Sequence, residues 1–126
     1  MTRKVQFKNK VVDSLLTYFD SSHPREGILL LRGKVGKDVI IVTDVMIPPL
    51  AIHGEGFSSF PLHTLPLDSS ILGVAHSHPS GVLRPSAEDI SESYGRLMVI
   101  VSYPYESDED IGLFDSEGKI LSFEII

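Results

Sequence analysis

Cysteine is missing from all 126 residues, which rules out disulfides, cysteine-based zinc sites and a thiol nucleophile. Long apolar runs are missing too: nothing approaches the roughly 20 consecutive apolar residues that span a bilayer. The Met1–Lys10 stretch is polar and basic, with no apolar segment of the signal-peptide kind, so the expected location is the cytoplasm. Basic residues are in deficit, 11 Lys and Arg against 17 Asp and Glu, for a net charge of −6. That balance argues against a nucleic-acid-binding surface, which would carry a basic stripe, and selects no other partner. Repeats, low-complexity tracts and internal linkers are absent as well. With 42% hydrophobic and 22% charged residues, the composition is that of a folded globular chain rather than a disordered one. The length suits one core and not two, so the expectation is a single domain over residues 1–126.

What is present reads as alternating helix and strand. Val11, Val12, Leu15, Leu16 and Phe19 recur at helical spacing between Lys8 and Phe19, and Ser21, Ser22 and Pro24 end that segment. Two β-rich runs, Gly27 to Val35 and Asp38 to Met46, flank Gly36-Lys37 and read as a hairpin. From Ile47 to Ser70 the chain carries six Pro and Gly residues (Pro48, Pro49, Gly54, Gly56, Pro61 and Pro66) and shows no clear period. Ile71 to Ser77 predicts a short buried strand, and a helix from Ser86 to about Tyr94 follows a Pro- and Gly-punctuated loop. Leu97 to Tyr103 is apolar on both faces, as a central strand would be. Ile111–Asp115 and Lys119–Ile126 form a second hairpin across Ser116-Glu-Gly118. The order is α, β, β, long loop, β, α, β, β, β, which implies a mixed α/β sheet with helices packed against it.

The chemistry sits between Ala75 and Asp89. Side chains alternate along a strand, so His76 and His78 share a face, with backbones about 6.6 Å apart. Two imidazoles so placed can converge on one ion at about 2.0–2.1 Å per Zn–N bond. The loop after them could fold Asp89 back as a third ligand. Two His and one carboxylate leave a position open for water, as in catalytic rather than structural zinc sites. Ordinary readings stand beside this one. A His-x-His pair can be two polar side chains at the rim of a core. Ser86 is a good helix N-cap, and Asp89 at the third helical position suits the positive end of a helix. Ser77, between the two His, faces the other side of the strand and receives no chemical role.

In combination, these residues resemble a known signature. His76-Ser-His78-Pro79, then Ser86 and Asp89, with an upstream glutamate in His23-Pro-Arg-Glu26-Gly, are similar to the JAMM motif of the JAB1/MPN/Mov34 metalloenzymes. No motif position is substituted, and the similarity runs through nearly the whole chain. The resemblance implies a three-layer α/β domain like that of cytidine deaminases, with one Zn²⁺ per chain at the end of a sheet. By the same resemblance His76, His78 and Asp89 are the metal ligands, Glu26 is the general base and Ser86 donates to the oxyanion. Nothing in the spacing could bring Glu26, fifty residues upstream, to the metal. The implied reaction is isopeptide hydrolysis after the C-terminal glycine of a ubiquitin-like protein, as in single-domain archaeal members. Ser86 would be both cap and catalytic donor only in different hydrogen-bond arrangements.

Other functions remain open at this stage. Bacterial relatives trim a sulfur-carrier protein to expose a Gly-Gly tail, using the same residues. Some MPN domains have lost the metal and serve as scaffolds, against which the full motif counts. A RadC-like branch shares His-Pro-Ser-Gly but has Asn where Ser77 stands here. The expected partner is therefore a ubiquitin-like or sulfur-carrier protein with a Gly-Gly tail, without nucleic acid or membrane; a homodimer is compatible. The 47–70 loop would hold that tail by strand addition to a sheet edge, or would be a plain connection. His53 and His63 are left out of the metal site. Glu106–Asp110 is expected to be an exposed loop, without the spacing of a calcium-binding EF-hand.

Overall fold

The computed structural model describes residues 3–48, 52–54, 57–59 and 69–126. Its elements, in chain order, are β1 (Lys4–Phe7), α1 (Asn9–Ser22), β2 (Ile28–Val35), β3 (Val39–Met46), β4 (Ile52–Gly54), β5 (Phe57–Ser59), β6 (Ile71–His78), α2 (Ala87–Ser91), β7 (Leu97–Ser102), β8 (Ile111–Asp115), β9 (Ile120–Leu121) and β10 (Glu124–Ile125). Eight of the strands form one mixed sheet in the order β10-β1-β3-β2-β6-β7-β8-β9, and β4 and β5 pair separately.

Period-2 alternation sorts the strand side chains into two layers. On one face Leu29, Leu31, Ala75, Val99 and Val101 pack with Val11, Val12, Leu15 and Phe19 of α1. On the other, Met98, Ile100 and Phe114 pack with Ile90 of α2 and with Leu83, and Leu30 packs with Val74. The α/β architecture with helices on both faces of a mixed sheet is the one expected. β7 is buried along its whole length between β6 and β8, as its apolar run Leu97–Val101 predicts.

Four details differ from the sequence reading. Lys4–Phe7 is a strand, with Val5 and Phe7 buried; four residues are too few for the alternation to stand out. The Lys119–Ile126 segment is not one strand. Ile120–Leu121 pairs with β8, while Glu124–Ile125 pairs in parallel with β1 at the far end of the sheet. The sheet therefore curls until Ser122 and Phe123 join its two ends, with the Phe123 ring 4.8 Å from that of Phe7. The helix after Ser86 stops at Ser91 rather than near Tyr94, because Arg96 must already donate its N–H to the Leu72 carbonyl for β7 to enter beside β6. The 47–70 stretch contains a short hairpin, Ile52 opposite Ser59 and Gly54 opposite Phe57. Residues 49–51, 55–56 and 60–68 of the proposed tail-binding segment, His63 among them, and the side chain of His53 lie outside the described residues. Among the described residues no helix is long and apolar enough to cross a membrane.

Candidate metal and hydrolytic site

The site forms where β2, β6 and the loop into α2 meet. His76 and His78 point to the α2 face of β6, the face that also carries Val74. β2 runs antiparallel to β6 with Ile28 opposite His76. Continued two residues, that register sets Glu26 opposite His78, and Glu26 does occupy a bridge position. Directly opposed residues share a face with their Cα atoms about 4.5–5.5 Å apart. The β2–β6 pairing, which spacing alone does not reveal, is what spans the roughly fifty residues between them. Ser86 and Asp89 arrive by the loop after β6, and Glu26, His78, Ser86 and Asp89 line one cavity of about 910 Å³. Pro24, Pro79, Val82, Arg84 and Glu88 complete much of its wall. His76 lies behind this wall, 2% exposed.

Asp89 is held from two sides. Its Oδ2 accepts the Ser86 backbone N–H at 2.8 Å and faces His78 Nε2 at 2.9 Å. The Asp89 N–H in turn donates to Ser86 Oγ at 3.0 Å, completing a capping box on α2. The capping contact uses a lone pair of the Ser86 oxygen, whereas the O–H is a separate donor. Cap and donor roles therefore do not exclude each other, contrary to the expectation from sequence.

The protonation pattern follows from these contacts. His78 Nδ1 lies 2.8 Å from the Val82 carbonyl, an acceptor, so Nδ1 carries hydrogen. Its Nε2 faces a second acceptor, the Asp89 carboxylate. A neutral ring has one N–H and cannot serve both. The Nε2–Oδ2 contact therefore requires a cation between or upon the two groups, either a proton or a metal ion. Burial by itself would lower the His78 pKa, but the Asp89 hydrogen bond, the Val82 carbonyl and the charges of Asp89 and Glu26 together raise it. Asp89 is raised by burial and lowered more by His78, the Ser86 N–H and the charge of His76, ending at about 2. Burial lowers the pKa of His76 and so favours the neutral imidazole that ligates metals. Burial also raises the pKa of Glu26, with Asp89 and Glu88 adding to the rise and His78 opposing it.

The donor chemistry fits zinc, which takes His nitrogen and carboxylate oxygen. Among the described residues, however, no three His, Asp or Glu side chains already stand in a coordinating arrangement. At 2.9 Å the His78–Asp89 contact is closer than the roughly 3.3 Å between two donors on a tetrahedral ion with bonds near 2.05 Å. Exchange of the shared proton for a larger cation asks the pair to part by a few tenths of an ångström.

Two features at the site escaped the sequence reading. Ser77, fully buried on the α1 face, accepts the Gly27 N–H on Oγ at 2.7 Å and donates its own N–H to the Gly27 carbonyl at 3.2 Å. His23 shares a 3.0 Å hydrogen bond with the Tyr105 hydroxyl and stacks on Tyr103 at 4.8 Å. Tyr103 donates its N–H to the His78 carbonyl, so this aromatic group braces the chain on either side of Glu26 and His78. Tyr105 holds φ 58°, a left-handed conformation that is unfavourable for a bulky residue. The repeated Pro neighbours, His23-Pro24 and Tyr103-Pro104, were the available signal, though nothing in sequence says that the two turns touch.

Known proteins similar to this chain share one family. A family model described as prokaryotic homologs of the JAB domain matches residues 8–111. A protein of Haloferax volcanii described as a "probable metalloprotease" is 34% identical over 122 residues, covering 91% of this chain and 75% of that protein. A JAB1/MPN-domain protein of Archaeoglobus fulgidus has a similar solved structure, with a TM-score of 0.71, 28% identity and 96% and 98% of the two chains covered. A second solved structure, described as a JAMM metalloprotease-like zinc site in the proteasome and signalosome, gives a TM-score of 0.69, 28% identity and 98% of each chain covered.

Proposed function

Since the chain belongs to the prokaryotic JAB family of JAMM-like metalloproteases, we propose that it is a zinc-dependent isopeptidase acting on a Gly-Gly-tailed, ubiquitin-like modifier. One observation carries the reading: Glu26 lines the same cavity as the His78–Asp89 pair and Ser86. In this reading His76, His78 and Asp89 hold the ion, and the bound ion supplies a Lewis acid that brings the pKa of water from 15.7 to about 7.

The protein's own groups account for the rest. Glu26, whose proton affinity is raised by burial, accepts the proton of the attacking water and returns it to the leaving lysine amine. General-base work of this kind contributes about 10²–10⁴-fold. The Ser86 O–H donates to the carbonyl oxygen as negative charge develops on it, a contact worth about 2.7–4 kcal/mol in comparable sites. Val82, Pro24 and Pro79 give the cavity apolar walls, which keep competing water from an extended tail.

The test is incubation with lysine-linked conjugates and linear fusions of Gly-Gly-tailed modifiers, with and without a zinc chelator. Cleavage of the lysine-linked conjugates that stops with chelator and returns with zinc is expected. Cleavage of linear fusions alone would assign the protein to carrier trimming instead. Intact conjugates throughout, with zinc bound, would contradict the reading and leave a scaffold.

A further inference from the structure

We infer that Ser77 is a positioning residue that fixes the Glu26 carboxylate over the His76–His78 pair. The inference rests on the isopeptidase reading for its activity assay and on hydrogen-bond geometry for its substance. Glu26 lies just before the start of β2, after exposed Pro24 and Arg25. A strand end of this kind frays unless something beyond the ladder holds it. Ser77 supplies that hold. Its Oγ takes the Gly27 N–H at 2.7 Å, and its backbone N–H reaches the Gly27 carbonyl at 3.2 Å. Both polar groups of the residue next to Glu26 are thus bound by a single partner, in a fully buried environment.

The position of that partner matters as much as the bonds. Ser77 stands between the two imidazole-bearing residues, and strand alternation turns its side chain away from them. The hydroxyl therefore works on the opposite face of the sheet from the cavity and touches neither water nor substrate. It ties the backbone that carries the base to the backbone that carries two of the three ligands. Displacement of a reacting group by about 1 Å can cost on the order of 10²-fold in rate, and this tie removes that freedom.

Ser77→Ala deletes the hydroxyl and leaves the strand. The expected result is zinc content equal to wild type, unchanged KM and kcat lower by about tenfold to a hundredfold. Ser77→Thr, which keeps the oxygen, is expected to recover most of that loss. In a Glu26→Gln background, Ser77→Ala should add almost nothing, because residues that act through one another are non-additive. A full additional loss in that background, or wild-type kcat in Ser77→Ala, would overturn the inference.

Amide exchange at Gly27, followed by NMR, provides a readout without substrate. The wild-type Gly27 N–H is expected to exchange as slowly as the buried ladder of β2, and at least about tenfold faster in Ser77→Ala. Rapid exchange in the wild type would overturn the inference even if the alanine variant does not fold. If the wild type cleaves no conjugate yet Gly27 is protected, the isopeptidase reading has failed and the tie has not.

Discussion

A single proton decides much of what His78 and Asp89 do. With Nδ1 committed to the Val82 carbonyl, the contact between Nε2 and the carboxylate needs a cation, and in the absence of metal that cation is H⁺. Zinc held by this pair, as proposed, would have to release it. Below the raised pKa of His78 the proton competes, and above it there is none to displace. Zinc affinity is therefore expected to rise about tenfold per pH unit through the acid range and to level off above that pKa; zinc titrations at several pH values with a competing chelator would show it. The same pair affects the stability of chelated protein. Asp89 falls from 3.8 unfolded to about 2 folded, so its contribution of about 2 kcal/mol is complete above the unfolded value and is lost as pH falls through the folded one. About half should be gone by pH 3. Asp89→Asn should lack this acid limb in denaturant melts, and an identical limb in both proteins would mean another group is responsible. Strand parity made the shared face of the two imidazoles legible in advance, and the same rule hid Ser77, whose partner Gly27 lies fifty residues away. Glu26 was legible through family resemblance alone, because a register is a property of two strands and not of one.

At the scale of elements, β6 is the member on which the site depends, since it pairs with β2 on one side and β7 on the other. Gly73 makes that double pairing close: a Cβ there would lie 1.8 Å from the Leu97 carbonyl oxygen and 2.7 Å from its carbon. Backbone cannot yield as a flexible side chain does. Gly73→Ala is expected to destabilise the protein by about 3 kcal/mol, read as a lower denaturant midpoint with unchanged slope. A neutral effect would show that β6 and β7 sit further apart than described. The hairpin of β2 and β3 and the buried β7 could be read from sequence because each carries its own signal, two β-rich runs around a glycine or five apolar residues together. The β8–β9 hairpin was legible in the same way, whereas β1 and β10 were not, because strands of two to four residues acquire meaning only from partners that are distant in sequence. The five-residue α2 falls short of its apparent length for a related reason: the demand of β7 for a place beside β6 overrides local helix preference.

For the molecule as a whole, direct pairing of β2 with β6 and the return of the loop before α2 bring Glu26, His78, Ser86 and Asp89 to one cavity, and the functional reading depends on all of them arriving together. If zinc bridges β6 and α2 as proposed, it binds the folded chain alone, so the melting temperature should climb with the logarithm of zinc concentration, with a gain of about 2.7 kcal/mol of stability at a hundred times its Kd. His78→Ala should show neither that shift nor bound zinc. A variant that still fills with zinc would remove His78 from the ligands. The most direct measurement of the central claim pairs zinc content with cleavage rate in Glu26→Gln, since this change keeps the shape of the side chain and removes the base. Wild-type zinc, near one ion per chain, is expected, with a rate at least about 10²-fold lower. A variant that retains zinc and more than about a tenth of the wild-type rate, well above what loss of a general base allows, would contradict it.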